Sequence, residues 1–477
     1  MKKIALTWCV LWLAVVSFAT AADVPSDQLH NWAQWRGPTA NGVAPLGDPP
    51  LQWDENTNIK WKAKIPGRGT GTPIVWGNQI FLTTAIETDR TAELEVAAEK
   101  AATGDKGAAG EKGAPDEKKP DEKKAAPDKP AAKGGPPRVQ KPTHFYQFVV
   151  LCVDRLTGLV QWQQMAKEEV PHEGHHPDGS FASASATTDG KQLYVSFGSR
   201  GVYCYDLAGK LKWSRDLGKM NVIFTFGEGT SPVVYGDSVF VNWDHQKGSF
   251  LICLDAATGE TKWKVDRDET TTWATPLVVE QKDRTQLVVH GVKRVRGYDM
   301  KNGDILWECG GQAPSAIPSP VTDGKLVFAM TGYMGNALYA IPLDSTGDIT
   351  KSDDKVAWKR KQPGTSYVPS PILYGDLLYF LAVNKGVVSC LNATTGEVLI
   401  DRKRLEGIDN IYASPVGAAD RIYFTGREGT TVVIKRGGEL EILATNKLDD
   451  HFDGSAAIVG SQIFLRGNEN LYCISAE

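Results

Sequence analysis

Apolar and polar positions alternate in short runs along most of this chain, and the runs recur in groups of four. Each group opens on a small residue followed by Pro or Ala: Thr72-Pro73, Ala184-Ser185-Ala186, Ser231-Pro232, Thr275-Pro276, Ser319-Pro320, Ser370-Pro371, Ser414-Pro415 and Ser455-Ala456. An apolar run comes next, then a Gly/Asp turn, a second run such as Ser238-Val239-Phe240-Val241 and a third such as Leu251-Ile252-Cys253-Leu254. Runs of this length bounded by turn residues predict strands. From Pro232 the next groups begin at Pro276, Pro320, Pro371, Pro415 and Ala456, steps of 44, 44, 51, 44 and 41. A period of about 40 to 50 residues with four strands per unit predicts an all-β fold, an eight-bladed β-propeller built from four-stranded antiparallel blades.

A turn of fixed chemistry follows the third run: Asp154/Gly158, Asp206/Gly209, Asp255/Gly259, Asp299/Gly303 and Asn392/Gly396. The Asp or Asn side chain can accept from amides two residues on, and Gly supplies the positive φ that ends such a loop. Four residues beyond each Gly stand Trp162, Trp213, Trp263, Trp307 and, in one unit, Ile400; Trp61 and Trp358 join this structural set. An indole there is expected on the outer strand, packed against the neighbouring blade. The last unit stops after its third run, Leu471-Tyr472-Cys473-Ile474, whereas Asn58-Ile59-Lys60-Trp61-Lys62 matches Glu260-Thr261-Lys262-Trp263-Lys264. The N-terminal strand is therefore expected to complete the last blade and close the ring, leaving no sheet edge exposed.

The repeated Asp-Ala-x-Thr-Gly-x-x-x-Trp pattern over eight units resembles the pyrroloquinoline-quinone (PQQ) type propeller repeat. The layout is similar to bacterial outer-membrane assembly factor B-type propellers and to exported proteins that begin Trp-x-x-Trp-Arg-Gly-Pro, here Trp32 to Pro38. The resemblance covers about residues 31 to 477 apart from one insertion, and it speaks to fold more than to function, since this fold carries dehydrogenases and non-catalytic scaffolds alike. Quinoprotein dehydrogenases stack the cofactor on a Trp at the start of an inner strand and hold Ca²⁺ through Glu, Asn and Asp. The resemblance thus implies Trp273 as platform and Glu228 as metal ligand. The chain departs from that pattern in having no adjacent cysteine pair and in reading Val289-His290-Gly291-Val292 where an Asn is expected.

With 41% hydrophobic residues and 48 Gly, the chain can bury a large core as one domain. Its net charge of −4 suggests neither a nucleic-acid partner nor an anionic membrane surface. Residues 1–21 read as a signal peptide, with Lys2-Lys3, an apolar stretch from Ile4 to Val16 and Ala19-Thr20-Ala21 before the cut. That stretch is too short to favour a retained transmembrane helix, and Cys9 is poorly placed for lipid attachment, so the mature protein is expected to be periplasmic or secreted. Residues 22–57 then form an N-terminal extended segment, and 58–477 form the propeller. Within the first blade, 87–141 is a low-complexity insertion. From Thr91 to Lys141 it carries ten acidic and eleven basic residues, a composition that predicts disorder. Cys152, Cys204, Cys253, Cys390 and Cys473 all occupy one place in the repeat, where other units have Gly297 and Ala340. The place calls for a small buried residue. Equivalent points on neighbouring blades lie too far apart for a bridge, which needs Cα atoms within about 7 Å, and Cys309 stands alone, so no disulfide is expected.

Chemistry in a propeller is expected at the mouth of the central funnel, where the residues preceding each first strand converge. These are Arg68, Thr70, Phe181, Glu228, Trp273, Ile317, Tyr367, Tyr412 and Phe452. From them we draw Glu228, Trp273, Tyr367, Tyr412 and Phe181 as a ligand-binding set, with Lys385 added from a loop between second and third strands. The loop His172-Glu173-Gly174-His175-His176 offers His172, His175 and His176 as secondary metal candidates. Charged pairs in the loops, such as Lys293-Arg294 and Arg427-Glu428, fit ordinary solvated turns. The chain has no nucleophile elbow, phosphate loop or zinc-protease helix, and the hydroxyls of Ser231 and its equivalents belong to the repeat. The resulting reading is an exported, monomeric, non-catalytic β-propeller without a resident cofactor, acting as a protein-interaction or assembly module toward protein partners in the cell envelope. The alternative is a PQQ- and Ca²⁺-dependent dehydrogenase of alcohols or sugars.

Overall fold

The computed structural model describes residues 26–93 and 139–476, so the signal-peptide reading and most of the insertion lie outside the described residues. The sheets form eight blades, 1 to 7 spanning residues 74–169, 187–215, 233–266, 277–310, 321–360, 372–404 and 416–447. Blade 8 joins residues 457–474 to the N-terminal strand Ile59–Lys64. That strand pairs antiparallel with Asn470–Ile474, setting Trp61 opposite Cys473 and Lys62 opposite Tyr472. The ring is therefore closed by the two ends of the chain, as the sequence match around Trp61 implies. Blade 4 carries a fifth strand, Gly347–Asp348, parallel to Ile305–Gly310. This short strand is contributed by the connection between the third and fourth strands of blade 5, and it accounts for the longer step of 51 residues there.

The turn motif and the tryptophan are two halves of one latch between blades. Trp61, Trp162, Trp213, Trp263 and Trp358 donate their indole N–H to the carbonyls of Arg155, Leu207, Ala256, Met300 and Ala393, each in the turn of the next blade, at 2.8–3.1 Å. The Gly of that turn lies flat on the indole. Gly259 has φ +74°, and a Cβ on it would sit 2.6 Å from the Trp213 ring, so both backbone conformation and contact require Gly. Within each blade the register sets the Trp opposite the repeated small residue: Trp162 faces Cys152, Trp213 faces Cys204 and Trp263 faces Cys253. A larger side chain there would meet the indole. The six described cysteines are buried and free, and burial pushes the Cys152, Cys204, Cys390 and Cys473 thiols up to about 12.

Trp307 departs from this scheme. Its N–H goes to Gln286 Oε1 of its own blade at 2.7 Å, and Gln286 Nε2 in turn donates to the Leu343 carbonyl of blade 5 at 2.8 Å. The connection that adds the fifth strand displaces the usual turn, and Gln286 bridges the gap. The insertion also begins later than the composition suggests. The second and third strands of blade 1, Gln79–Thr91 and His144–Asp154, form a long arm in which Glu87 pairs with Tyr146 and Thr91 with His144. Pairing at Glu87 and Thr91 on either side of an irregularity, with the Thr88 hydroxyl donating to the Phe145 carbonyl at 2.9 Å, holds residues 87–91 in sheet despite their polarity.

Around the axis runs a belt of hydroxyls. The backbone N–H of Thr72, Ser185, Ser231, Thr275, Ser319, Ser370 and Ser414 each donates to the hydroxyl of the equivalent residue one blade on, ending at Ser455. The small hydroxyl residue at each group start is thus a structural link between blades.

The N-terminal segment is not simply extended. After a short helix, Ser26–Leu29, it crosses the end of the ring that carries the turns between first and second strands. Trp32 pairs with Val75 of blade 1, Asn41 donates to Thr322 of blade 5, Ala44 bonds Gly417 of blade 7, and Trp53 bonds Asn446. Blades 1 and 5 are opposite one another in an eight-membered ring, so the segment spans the axis. Arg36 is buried there without a carboxylate and donates to the carbonyls of Pro415 and Pro371 at 3.1 and 2.8 Å. Burial lowers its guanidinium to about 9.

Candidate functional site: the central cavity

With one end of the axis covered by the N-terminal segment, the space inside the first strands becomes a cavity of about 260 Å³. Trp35, beside the buried Arg36, contributes to its lining from the covered end, and the residues preceding the first strands line it toward the open mouth. Of the sequence-derived set, Glu228, Trp273, Tyr367 and Tyr412 come together in this cavity, with Thr70 and Ile317. Phe181 and Lys385 do not join them. Phe181 packs edge-on against His175 and Tyr146 at 4.5 and 4.8 Å, with the Arg200 guanidinium 5.4 Å away. Lys385 is exposed on its loop. Phe452 is fully buried against Tyr472.

The carboxylates of the mouth are held by arginines. Glu228 accepts from the Ser199 N–H at 2.7 Å and the Ser199 hydroxyl at 2.5 Å, and pairs with Arg200 at 3.2 Å. Gly198 must be Gly, because a Cβ there would strike the Glu228 carboxylate. Asp178 accepts from Tyr412 Oη at 2.8 Å and Arg427 at 2.9 Å, and the same Arg427 donates to Asp453 at 2.6 Å. Burial alone would raise the Asp178 carboxyl, but hydrogen bonds from Arg427 and Tyr412 outweigh it and hold it below the usual range. The Arg427 guanidinium also stands 4.3 Å over the Tyr412 ring. Sequence reasoning missed Asp178, Asp453 and Trp35. Asp178 lies in the His-rich loop that drew attention for metals, and Asp453 sits two residues before Ser455, but nothing local signals that Arg427 joins them.

The three histidines are directed apart. His172 Nε2 meets the Met220 carbonyl at 2.8 Å, His175 lies on Phe181, and His176 lies edge-on to Phe226 at 4.8 Å. Burial lowers the basicity of both His175 and His176. Among the described residues no group of three or more His, Cys, Asp or Glu is placed to hold a metal. Nor do the residues fit a quinone with Ca²⁺. Trp273 lines the cavity and donates to the Gly227 carbonyl at 2.8 Å, but both Glu228 oxygens are already engaged by Ser199 and Arg200. His290, in the turn where an Asn is expected, is fully buried against the Pro318 carbonyl at 3.1 Å. Its burial lowers it to about 4.

Blade architecture, closure and cavity define an eight-bladed β-propeller of the PQQ-like repeat class. The family model described as outer membrane protein assembly factor BamB matches residues 147–402, more than half of the chain, and the protein belongs to that family. Among solved structures, a europium-containing methanol dehydrogenase is similar at 9% identity and TM-score 0.56, covering 93% of this chain and 90% of that one. BamB from Moraxella catarrhalis matches at 14% identity and TM-score 0.39, over 61% of this chain and 96% of that one. A computationally designed protein, Ika8, matches at 13% identity and TM-score 0.48, over 70% and 93%. At such identities the methanol dehydrogenase likeness carries fold alone. No curated protein matches the sequence. Among the described residues no helix is long and apolar enough to cross a membrane.

Proposed function

We propose that the protein is a non-catalytic binding module of the cell envelope, periplasmic or secreted, whose open mouth receives a protein partner. The family description, which concerns outer-membrane protein assembly, supports the envelope setting. One observation about the mouth carries the binding role. Phe224, Met334 and Val383 are 57%, 77% and 41% exposed and sit at φ 53°, 53° and 54°. Apolar side chains gain nothing from water, and a left-handed backbone costs about 1–3 kcal/mol at a non-Gly residue, so folding alone does not favour this arrangement. All three stand at the same end of the ring, in loops preceding first strands or joining second to third strands. They continue the cavity wall outward: Phe224 lies 5.4 Å from Phe226, Tyr333 stacks on Tyr367 at 4.6 Å, and the Tyr367 N–H bonds the Val383 carbonyl.

Photo-crosslinking amino acids placed in cells at positions 224, 334 and 383 should give adducts with a defined envelope protein. Positions 156 and 235, exposed at the opposite end, should not. Equal yields from both ends would overturn the reading. The dehydrogenase alternative predicts that PQQ with Ca²⁺ raises the melting temperature, since saturation at 100 times Kd adds roughly 2.7 kcal/mol. We expect no shift. A Ca²⁺-dependent shift lost in both Trp273→Ala and Glu228→Gln would make the protein a quinoprotein.

A further inference from the structure

We propose that the central cavity binds a neutral sugar ring, either as a free monosaccharide or as the end residue of a glycan. The proposal goes beyond the reading of the rim and does not rest on it. Four aromatic side chains supply platforms: Trp35, Trp273, Tyr367 and Tyr412 all line the cavity. Both tryptophans are half-buried, and among the described residues neither is stacked on another ring. Tyr367 is covered on one face by Tyr333 at 4.6 Å and Tyr412 by the Arg427 guanidinium at 4.3 Å, so each offers its other face. Trp273 precedes blade 4 and Tyr412 blade 7, so the two rings stand on different sides of the axis, three blades apart. The negative face of an aromatic ring attracts the C–H groups of a pyranose. The cavity, about 260 Å³, is smaller than the roughly 300–1,000 Å³ of pockets for drug-sized ligands, which suits one sugar ring.

Charge disfavours the ionic alternatives. Among the described residues that line the cavity there is no Lys or Arg to receive an anion. The carboxylates are neutralised: Glu228 pairs with Arg200, Asp178 and Asp453 share Arg427, and Asp453 lies within ion-pair range of Arg68 and His451. What remains is hydrogen bonding. Tyr367 Oη has no hydrogen-bond partner among the described residues and is not sealed from solvent. The Asp178 side chain is 33% exposed, and its two oxygens, each taking one donor, can still accept from a ligand hydroxyl. Deeper in, five hydroxyls of the belt line the cavity: Ser185, Ser231, Thr275, Ser414 and Ser455. Each accepts from the backbone N–H of the equivalent residue one blade back, at 2.9–3.2 Å. The belt thus uses the oxygens, and no acceptor among the described residues faces their own protons. Donors at the closed end with an acceptor toward the mouth match a ring that carries both ether and hydroxyl oxygens.

The test is titration of the purified protein, followed by tryptophan fluorescence and calorimetry, with glucose, galactose, mannose and N-acetylglucosamine. EDTA is present, which keeps the result apart from Ca²⁺-dependent quinone binding. Glucuronate, galacturonate and glucosamine serve as charged analogues, and cyclohexanol as a ring without the sugar's oxygens. We expect saturable binding of at least one neutral sugar with a change in tryptophan emission, and the charged analogues and cyclohexanol at least tenfold weaker. An oligosaccharide ending in the bound sugar separates the two sources: retained affinity assigns the site to a glycan end, and lost affinity to a free monosaccharide. Trp273→Leu should weaken the sugar about tenfold, and Trp273→Phe, which restores a ring, should recover most of that loss. Tyr367→Phe keeps the ring, removes only the hydroxyl and should weaken the sugar about threefold. No saturable binding of any neutral sugar, equal binding of cyclohexanol or the charged analogues, or unchanged affinity in a folded Trp273→Leu protein would each overturn the proposal. Where that variant does not fold, unchanged affinity in Tyr367→Phe overturns it. Crosslinking at the rim without sugar binding sinks the cavity proposal alone; sugar binding without rim crosslinks sinks only the partner reading.

Discussion

The periphery of this propeller and its mouth are built by opposite strategies. At the periphery one latch is used five times: an indole from one blade, a turn carbonyl and a flat Gly from the next. Each part is needed because of its neighbour. At the mouth nothing repeats. Glu228 is fixed by Ser199 and Arg200, Asp178 and Asp453 share Arg427, and apolar side chains are left in water on strained backbone. Repetition serves a common need of every blade, which is to bury its outer strand. The mouth serves something found once per molecule.

The same contrast decides what could be read from the chain. Trp213 and Gly259 were legible together because the spacing from Asp to Gly to Trp recurs, and recurrence marks a shared structural cause. Trp307 fits the spacing yet behaves differently, because the detour that displaces its partner turn lies in the following blade. The pairing of Asp178 with Arg427 joins residues 249 positions apart, and that of Asp178 with Tyr412 spans 234. No local pattern encodes such a meeting. The positions preceding each first strand can be named from the repeat, so the convergence of Glu228, Trp273, Tyr367 and Tyr412 on one cavity is legible. Phe181 stands apart from that cavity, packed on His175 and Tyr146 in an adjoining recess that it shares with Glu228 and Arg200, and Lys385 is carried out to solvent by its loop.

The largest expected effect comes from breaking the closure that makes the periphery continuous. Removing residues 22–66 takes away the outer strand of blade 8 and the segment covering the axis, exposing the edge of Asn470–Ile474. Unpaired edges template association, so gel filtration with light scattering should show aggregates. A monomer with unchanged melting temperature would show that the N-terminal strand is dispensable. Next in size is a single latch. Trp213 is 8% exposed and donates to the Ala256 carbonyl, and truncating a buried Trp costs about 3–5 kcal/mol. Trp213→Ala should lower stability by that amount in urea denaturation. A loss below about 1 kcal/mol would mean that neighbouring blades adhere without the indole.

The smallest effect should have the opposite sign, and it separates the two regions most sharply. Met334 is 77% exposed, so truncating it sacrifices little burial, while its φ of 53° is one that Gly adopts freely. Relief of the left-handed strain, about 1–2 kcal/mol for a non-Gly residue, outweighs the extra chain entropy of Gly, about 0.5–1 kcal/mol. Met334→Gly should therefore leave the fold intact and stabilise it by about 0.5 kcal/mol, measured as a slightly higher urea midpoint with an unchanged slope. If the side chain is kept for a partner, the same variant should reduce the yield of rim crosslinks from positions 224 and 383. Destabilisation by more than about 1 kcal/mol would place Met334 among residues that hold the ring together and would remove the distinction between periphery and mouth. A gain in stability with crosslinks unaffected would keep that distinction and move the partner's contact to the Phe224 side of the mouth.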